Sequence, residues 1–325
     1  MNAIVYREYG SPEVLRLEEV EKPVPGDGEV LIRVRAASVN PLDWRLMRGR
    51  PLSMRLFFGL LRPKHARPGV DVAGRVEAAG KGVTRLKPGD EVFGSCRGAF
   101  AEYVCTPESA LVVKPGNVTF EQAASAPVAA YTALQGLRDK GQVRPGQKVL
   151  VNGAAGGVGT FAVQIARWLG AEVTGVCSTR NLQMVRSLGA DRVIDYSRED
   201  FTRTGERYDV VFDCIANRSP WACRRALKPG GRCVLVGASH SRWAIPVFAP
   251  MFLAVAMSAF MDRKLTPFMA KRNREDLEII GGLMGSGKLR PVIDRRYRLG
   301  EVPEAMRHSM AGHPRGKIAI TVGED

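Results

Sequence analysis

The sequence predicts an α/β protein in which a doubly wound parallel sheet is inserted into a β-rich domain. Three observations carry that reading. Strand-and-turn patterns fill roughly the first 120 residues, strands alternate with helices from about residue 148, and strand patterns return near the end of the chain. In order, residues 2–8, 29–39, 70–79, 91–93 and 100–105 read as strands, each rich in β-branched or aromatic residues and set off by Gly, Pro, Asn or Asp. From Phe120 the pattern turns helical. Short apolar runs at 148–152, 172–177, 192–195, 209–213 and 232–237, separated by helical stretches, read as parallel strands buried on both faces. A helix is expected around 275–285, and 291–299 and 317–322 read as strands returning to the first domain. Residues 1–122 and 289–325 therefore form the β-rich domain, with 123–288 inserted. No internal repeat or low-complexity linker interrupts the chain, so the two domains are expected to share one rigid cleft.

Within the insert, Val149-Leu150-Val151-Asn152-Gly153-Ala154-Ala155-Gly156-Gly157-Val158-Gly159 joins an apolar strand and a glycine turn to the amphipathic helical stretch 160–169. In that context a glycine motif cradles a pyrophosphate. Glycine permits a tight turn and close backbone approach, while the amides and positive dipole end of the helix attract phosphate. Ala155, Gly156, Gly157, Val158 and Gly159 are the expected contacts, with Ala154 standing where the usual Gly-x-Gly-x-x-Gly has its first glycine. The end of the next strand decides which dinucleotide fits. An acid there would hold a ribose hydroxyl, but 172–177 runs into Ser178-Thr179-Arg180-Asn181. Arginine forks onto phosphate through two charge-assisted bonds, which favours NADPH with Ser178 and Arg180 near its 2′-phosphate. The plainer reading makes Ser178 a helix cap and leaves Arg180 in solvent.

The 325 residues are 45% hydrophobic, enough for about two domains with sizeable cores. The N-terminus opens into a strand without the apolar core of a secretory signal, so export is not expected. Six cysteines form no Cys-x-x-Cys pair, and Cys177 and Cys214 fall in apolar strands, which fits free buried thiols and a reducing cytoplasm. The net charge of +15 is concentrated: residues 31–67 hold nine Lys or Arg against Asp43 alone. There, 52–64 mixes Leu, Met and Phe with Arg and Lys. A flap over the active site is the main expectation, and a helix lying on an anionic membrane is the alternative. The apolar stretch 244–261 contains Pro246 and Pro250 and is near the short limit for a span, so a lid or interface segment is expected. No nucleic-acid motif accompanies the charge, which alone supports only salt-sensitive, nonspecific contact.

Motifs along nearly the whole chain resemble one family. Ser38-Val39-Asn40-Pro41-Leu42-Asp43, Pro68-Gly69-Val70-Asp71-Val72-Ala73-Gly74, Gly89-Asp90-Glu91-Val92-Phe93-Gly94, Ala129-Ala130-Tyr131-Thr132-Ala133-Leu134, the glycine cradle and Gly316-Lys317 are similar to the zinc-free quinone oxidoreductase branch of the medium-chain dehydrogenases and reductases. The pattern resembles most its chloroplast-envelope and mitochondrial members. This resemblance implies a GroES-like catalytic domain around a Rossmann domain, NADPH, quinone or enone substrates, and a homodimer paired edge to edge near 264–269. It implies Asn40 and Thr132 beside the nicotinamide, with Tyr196, Ile215, Gly237, Ala238 and Lys317 as further cofactor contacts. Open sheets bind ligands at the carboxyl ends of their strands, which independently supports Gly153, Ser178, Ile215 and Gly237.

In zinc-containing relatives cysteine takes the Asn40 position, and histidine follows the later Pro-Gly turn where Val70 stands. A catalytic zinc takes about three Cys, His or carboxylate ligands and a structural zinc about four. Neither set is expected here, and His65, His240, His308 and His313 are scattered. Without a Lewis acid, acceptors already activated by conjugation are favoured, and hydride delivery becomes a matter of positioning. Asn40 is a candidate donor to an acceptor oxygen gaining negative charge, against a plain role as the turn residue before Pro41. Asp43 is expected to orient backbone or Arg45, and water or the cofactor ribose is left as proton source. Two rival functions stand beside this one: an NADP-dependent alcohol dehydrogenase, and a basic binding or membrane-associated protein.

Overall fold

The computed structural model describes residues 1–50, 52, 55–236, 264–312 and 314–323. The chain divides into two compact units, one of Met1–Val128 with Arg272–Asp325 and one of Ala129–Lys271.

The first unit holds an antiparallel pair, β1 (Asn2–Val5) and β2 (Arg16–Glu19), and a seven-stranded sheet. The order in that sheet is β14 (Ile293–Arg298), β15 (Lys317–Thr321), β3 (Glu29–Val39), β4 (Asp71–Ala79), β5 (Glu91–Ser95) and β7 (Leu111–Val113), with β6 (Tyr103–Pro107) also on β3. All neighbours are antiparallel except β14 and β15. β3 is the axis of the unit because Val30, Ile32, Val34, Ala37 and Val39 are buried in the core. They share it with Val72, Val76, Val92, Phe100, Ile318 and Ile320. Pairing of Ile318 with Val39 brings Lys317 level with the end of β3.

There the chain enters α1 (Pro41–Arg48). Asn40 is its N-cap, Pro41 supplies a preset φ at the first position, and Gly49 ends it in the left-handed conformation. Trp44 and Met47 anchor the helix. The following segment is not the continuous surface helix weighed from its composition: α2 (Arg55–Phe58) is one turn long and is followed by a loop.

The first unit also holds the short α3 (Phe120–Ala124); the second begins within α4 (Pro127–Gln135) and is built on a six-stranded parallel sheet. The order is β10 (Arg192–Asp195), β9 (Glu172–Cys177), β8 (Lys148–Asn152), β11 (Tyr208–Asp213), β12 (Leu227–Leu235), β13 (Lys264–Pro267). Chain order reverses between β8 and β11, which makes the sheet doubly wound with its switch point there. Val149, Leu150 and Val151 are wholly buried, as continuous apolar runs in a sheet covered on both faces should be. α5 (Gly157–Trp168) packs Phe161, Val163 and Ile165 into the interior.

Among the described residues no helix is long and apolar enough to cross a membrane. The apolar stretch 244–261, with Pro246 and Pro250, lies outside the described residues. All six cysteines are free; four are buried, while Cys105 and Cys214 are half-buried.

Candidate functional site

The glycine turn lies between β8 and α5. Gly153 takes the left-handed φ of 83°, and a Cβ there would come within 2.8 Å of the Ile215 side chain. The amides of Gly153 and Ala154 donate to the Val176 carbonyl at 3.2 and 2.9 Å, tying the turn to β9. The position that needs glycine is therefore one residue before Ala154, which is fully buried. Gly159 allows helix and turn to touch, since a Cβ on it would lie 2.0 Å from the Gly153 carbonyl oxygen. Gly156 is the N-cap of the twelve-residue α5, and Gly156, Gly157 and Val158 are half-buried. The positive end of the helix is thus reachable by an anion, with backbone rather than side chain at its mouth.

Asp213 shapes the neighbouring loop and was not among the residues singled out in the sequence. Its Oδ1 accepts from Asn152 Nδ2 at 2.8 Å and from the amides of Ile215 and Ala216 at 3.0 and 2.9 Å. Ala216 is held at a φ of 55°. Asn152 Nδ2 also reaches Asn217 Oδ1, at 3.2 Å. Ile215 is thereby presented beside the cradle, 44% exposed. An acid closing an apolar strand was the available signal.

At the end of β9, Ser178 is the N-cap of the single helical turn Thr179–Asn181, and its Oγ accepts from Asn181 Nδ2 at 3.1 Å. Arg180 on that turn is exposed. Tyr196 follows β10, is 52% exposed, and donates its amide to the Cys177 carbonyl at 3.1 Å. Ser178, Arg180 and Tyr196 therefore stand at adjacent strand ends. Asp195 is turned inward instead, held below the usual carboxylate range by the hydroxyls of Thr179 and Ser197. Gly237 and Ala238 lie outside the described residues. Thr132 sits half-buried on α4.

In the first unit, Asn40, Asp43, Asp71 and Lys317 form a cluster in which none is more than 3% exposed. Lys317 Nζ donates to Asn40 Oδ1 at 2.6 Å and to Asp71 Oδ2 at 3.4 Å. The same Asp71 oxygen accepts from Asn40 Nδ2 at 2.9 Å and Ser38 Oγ at 3.0 Å, and Asp71 Oδ1 accepts the Val128 amide at 3.0 Å. Buried charges persist when they are paired in this way. Asp43 Oδ2 accepts the Asn40 amide at 2.7 Å, so its role is to orient backbone and hold the start of α1. Burial pushes the Asp43 carboxyl up to about 7; Asp71 adds to the rise, while the Asn40 amide and Lys317 oppose it. Burial lowers the Lys317 ammonium, against support from Asp71 and Asp43. Both polar atoms of the Asn40 side chain are engaged within this cluster.

This donor set does not fit zinc. A divalent ion between Asn40 and Asp71 would have to displace the Lys317 ammonium, leaving an amide and one carboxylate. Among the described residues no three His, Cys, Asp or Glu are grouped as metal ligands. His65 is exposed against Arg97, and His308 links Tyr297 at 2.9 Å to Asp294 at 3.0 Å. His240 and His313 lie outside the described residues.

Residues 26–116 match the family described as Alcohol dehydrogenase GroES-like domain, and residues 188–320 the one described as Zinc-binding dehydrogenase. The chain is 34% identical over 339 aligned positions to the Chloroplast envelope quinone oxidoreductase homolog of Arabidopsis thaliana, covering 98% of each. It is also 34% identical to the chloroplastic NADPH-dependent alkenal/one oxidoreductase of Arabidopsis thaliana, covering 98% of this chain and 79% of that protein. The quinone oxidoreductase from Coxiella burnetii has a similar structure, with a TM-score of 0.86 at 32% identity over 99% of each chain.

Proposed function

We infer the function of this chain from the family to which it belongs, the medium-chain dehydrogenases and reductases with a GroES-like and a Rossmann-type domain. It is an NADPH-dependent oxidoreductase that reduces quinones or α,β-unsaturated carbonyls. The observation that carries this reading is the Gly153–Gly159 turn at the carboxyl edge of a 3-2-1-4-5-6 parallel sheet, with Ser178, Arg180 and Tyr196 at the two strand ends beyond it. The acceptor class is supported by the Asn40–Asp71–Lys317 cluster, in which an ammonium tied to Asn40 and Asp71 takes the place that a Lewis acid would need for an alcohol.

Bound NADPH supplies the hydride. The amides of Ala155 to Gly159 and the dipole of α5 are proposed to hold the pyrophosphate, and Ser178, Arg180 and Tyr196 the adenosine 2′-phosphate end. Ile215, set by Asp213, lines the approach to the cradle. Asn40 and Thr132 are the proposed nicotinamide-side residues. Lys317 acts on Asn40 by polarising its carbonyl, which strengthens the bond that the Asn40 N–H gives to Asp71 and fixes the side chain. The assignment of Lys317 as a direct cofactor contact gives way here to a positioning role, because its ammonium is turned into the cluster. We propose further that the protein acts without zinc and pairs as a homodimer through β13, an edge strand of the sheet among the described residues. Its six free thiols support a reducing compartment such as the cytoplasm.

The test is initial-rate oxidation of NADPH and NADH with quinones, enones and saturated aldehydes, for wild type and Arg180→Ala. Turnover of conjugated acceptors, with a preference for NADPH that shrinks about tenfold or more in the variant, is the expected result. Turnover of saturated aldehydes alone would return the alcohol dehydrogenase reading.

A further inference from the structure

The most distinctive feature outside the nucleotide site is the segment after α1. Residues 44–70 hold seven Lys or Arg and no acid. Within them Leu52, Leu56, Phe57, Leu60 and Leu61 are between 64% and 85% exposed. This exposure is built in. Tyr9 Oη donates to the Gly59 carbonyl at 2.6 Å, the Arg55 guanidinium lies 4.4 Å from the centre of the Tyr9 ring, and Arg55 Nε donates to the Gly49 carbonyl at 3.1 Å. The Lys64 amide donates to the Phe58 carbonyl at 2.7 Å and closes the loop at its base. Gly59, at a φ of 120°, makes the turn possible, since a Cβ there would lie 1.9 Å from the Arg62 carbonyl oxygen. Arg55 and Gly59 fasten the inner side of the loop, and the leucines and Phe57 are left on the outer side.

We propose that loop 55–64, with Leu52, docks the protein peripherally on an anionic lipid bilayer. Outward apolar tips ringed by cations match the boundary of such a surface: the tips enter the upper acyl region while Arg62 and Lys64, both exposed, meet lipid phosphates. The charge is of one sign, which suits a diffuse anionic sheet. The loop lies in the same unit as the Asn40 cluster, one eight-residue helix away along the chain. Docking through this loop is independent of which acceptor the enzyme reduces.

Sedimentation of the full chain with phosphatidylglycerol–phosphatidylcholine vesicles, against phosphatidylcholine alone, tests this. Wild type is expected to pellet with the anionic vesicles and to be released by salt. Phe57→Ser with Leu61→Ser lowers partitioning about tenfold or more, and Arg62→Gln and Lys64→Gln each lower it about fivefold. These side chains are exposed, so circular dichroism and melting temperature stay at wild-type values. No pelleting at low salt, or an apolar double variant that binds like wild type, overturns the proposal. So does a dimer in light scattering that the double variant splits while vesicles bind neither form; the face then joins two copies of this chain.

Discussion

The ammonium of Lys317 meets the side-chain oxygen of Asn40 at 2.6 Å, although 277 residues separate them. The antiparallel register of β15 on β3 makes the meeting unavoidable, because Ile318 pairs with Val39 and so sets Lys317, just before it, level with Asn40, just after Val39. Asp71 completes the arrangement from the start of β4, with Ser38, its partner in the β3–β4 ladder, donating to it. One cation, one fully buried carboxylate and one amide are thus fixed by three strands of a single sheet.

Lys317→Met removes the cation and leaves the Asp71 carboxylate buried without it. A loss of about 3–5 kcal/mol is expected in urea unfolding. Adding Asp71→Asn should recover at least half of that loss. A double variant no more stable than Lys317→Met would show that the ion pair is not what Lys317 contributes.

Asp43 gives stability a distinct pH dependence. Its carboxyl is raised in the fold from 3.8 to about 7, so between those values the folded chain binds a proton that the unfolded chain has released. Its contribution is therefore lost as pH rises through that window, by up to about 4 kcal/mol. Asp43→Asn keeps an acceptor for the Asn40 amide without the charge. The stability difference in favour of the variant should grow from about pH 4 to pH 7 and then level off. A difference independent of pH would mean that Asp43 is ionised throughout.

Gly159→Ala places a methyl group 2.0 Å from the Gly153 carbonyl oxygen, so α5 must move off the turn. The expected cost is about 1–3 kcal/mol in stability and a rise in KM for NADPH of about tenfold or more. Gly156→Ala, whose methyl would meet nothing closer than 3.5 Å, is the control and should fold like wild type. Equal KM values for wild type and Gly159→Ala would separate the turn from cofactor binding.

Prolonged dialysis against a zinc chelator should leave the rate of NADPH oxidation unchanged. The Lys317 ammonium stands where the metal would have to enter. Activity that falls with zinc removal and returns with zinc would overturn the zinc-free mechanism.

Much of this was legible in the sequence where a pattern is local. The strand, turn and helix from Lys148 to Trp168 lie where apolar runs and glycines indicated, and the doubly wound sheet followed from their alternation. Shorter elements escaped. β2 and β7 are three or four residues long, too brief to show a period, and are strands because neighbours complete their ladders. Contacts across the chain were the least visible. Lys317 read as a cofactor ligand by resemblance, yet nothing near it in sequence shows that its partner is Asn40. A signal did exist: Asp71 sits inside the apolar run Val70-Asp71-Val72-Ala73, and a carboxylate there needs a buried cation. The 52–64 segment shows the reverse limit. Its composition allowed a helix, and contacts that composition does not show, the Gly59 turn, the Tyr9 anchor and the Lys64–Phe58 bond, decide for a closed loop.

The place of β15 in the sheet also sets the order in which a nascent chain can mature. When the ribosome has finished β3 to β7, the half of β3 that β15 will cover, Ala36 to Val39, still lacks its neighbour on that side. The whole inserted unit is synthesised next, and it can fold as a body while the seven-stranded sheet waits. Only when Ile318 to Thr321 emerge is that open edge sealed and the lysine delivered. The part encoded in the middle of the chain is therefore made in full first, and the buried contacts of Lys317 with Asn40 and Asp71 form only with the last strand.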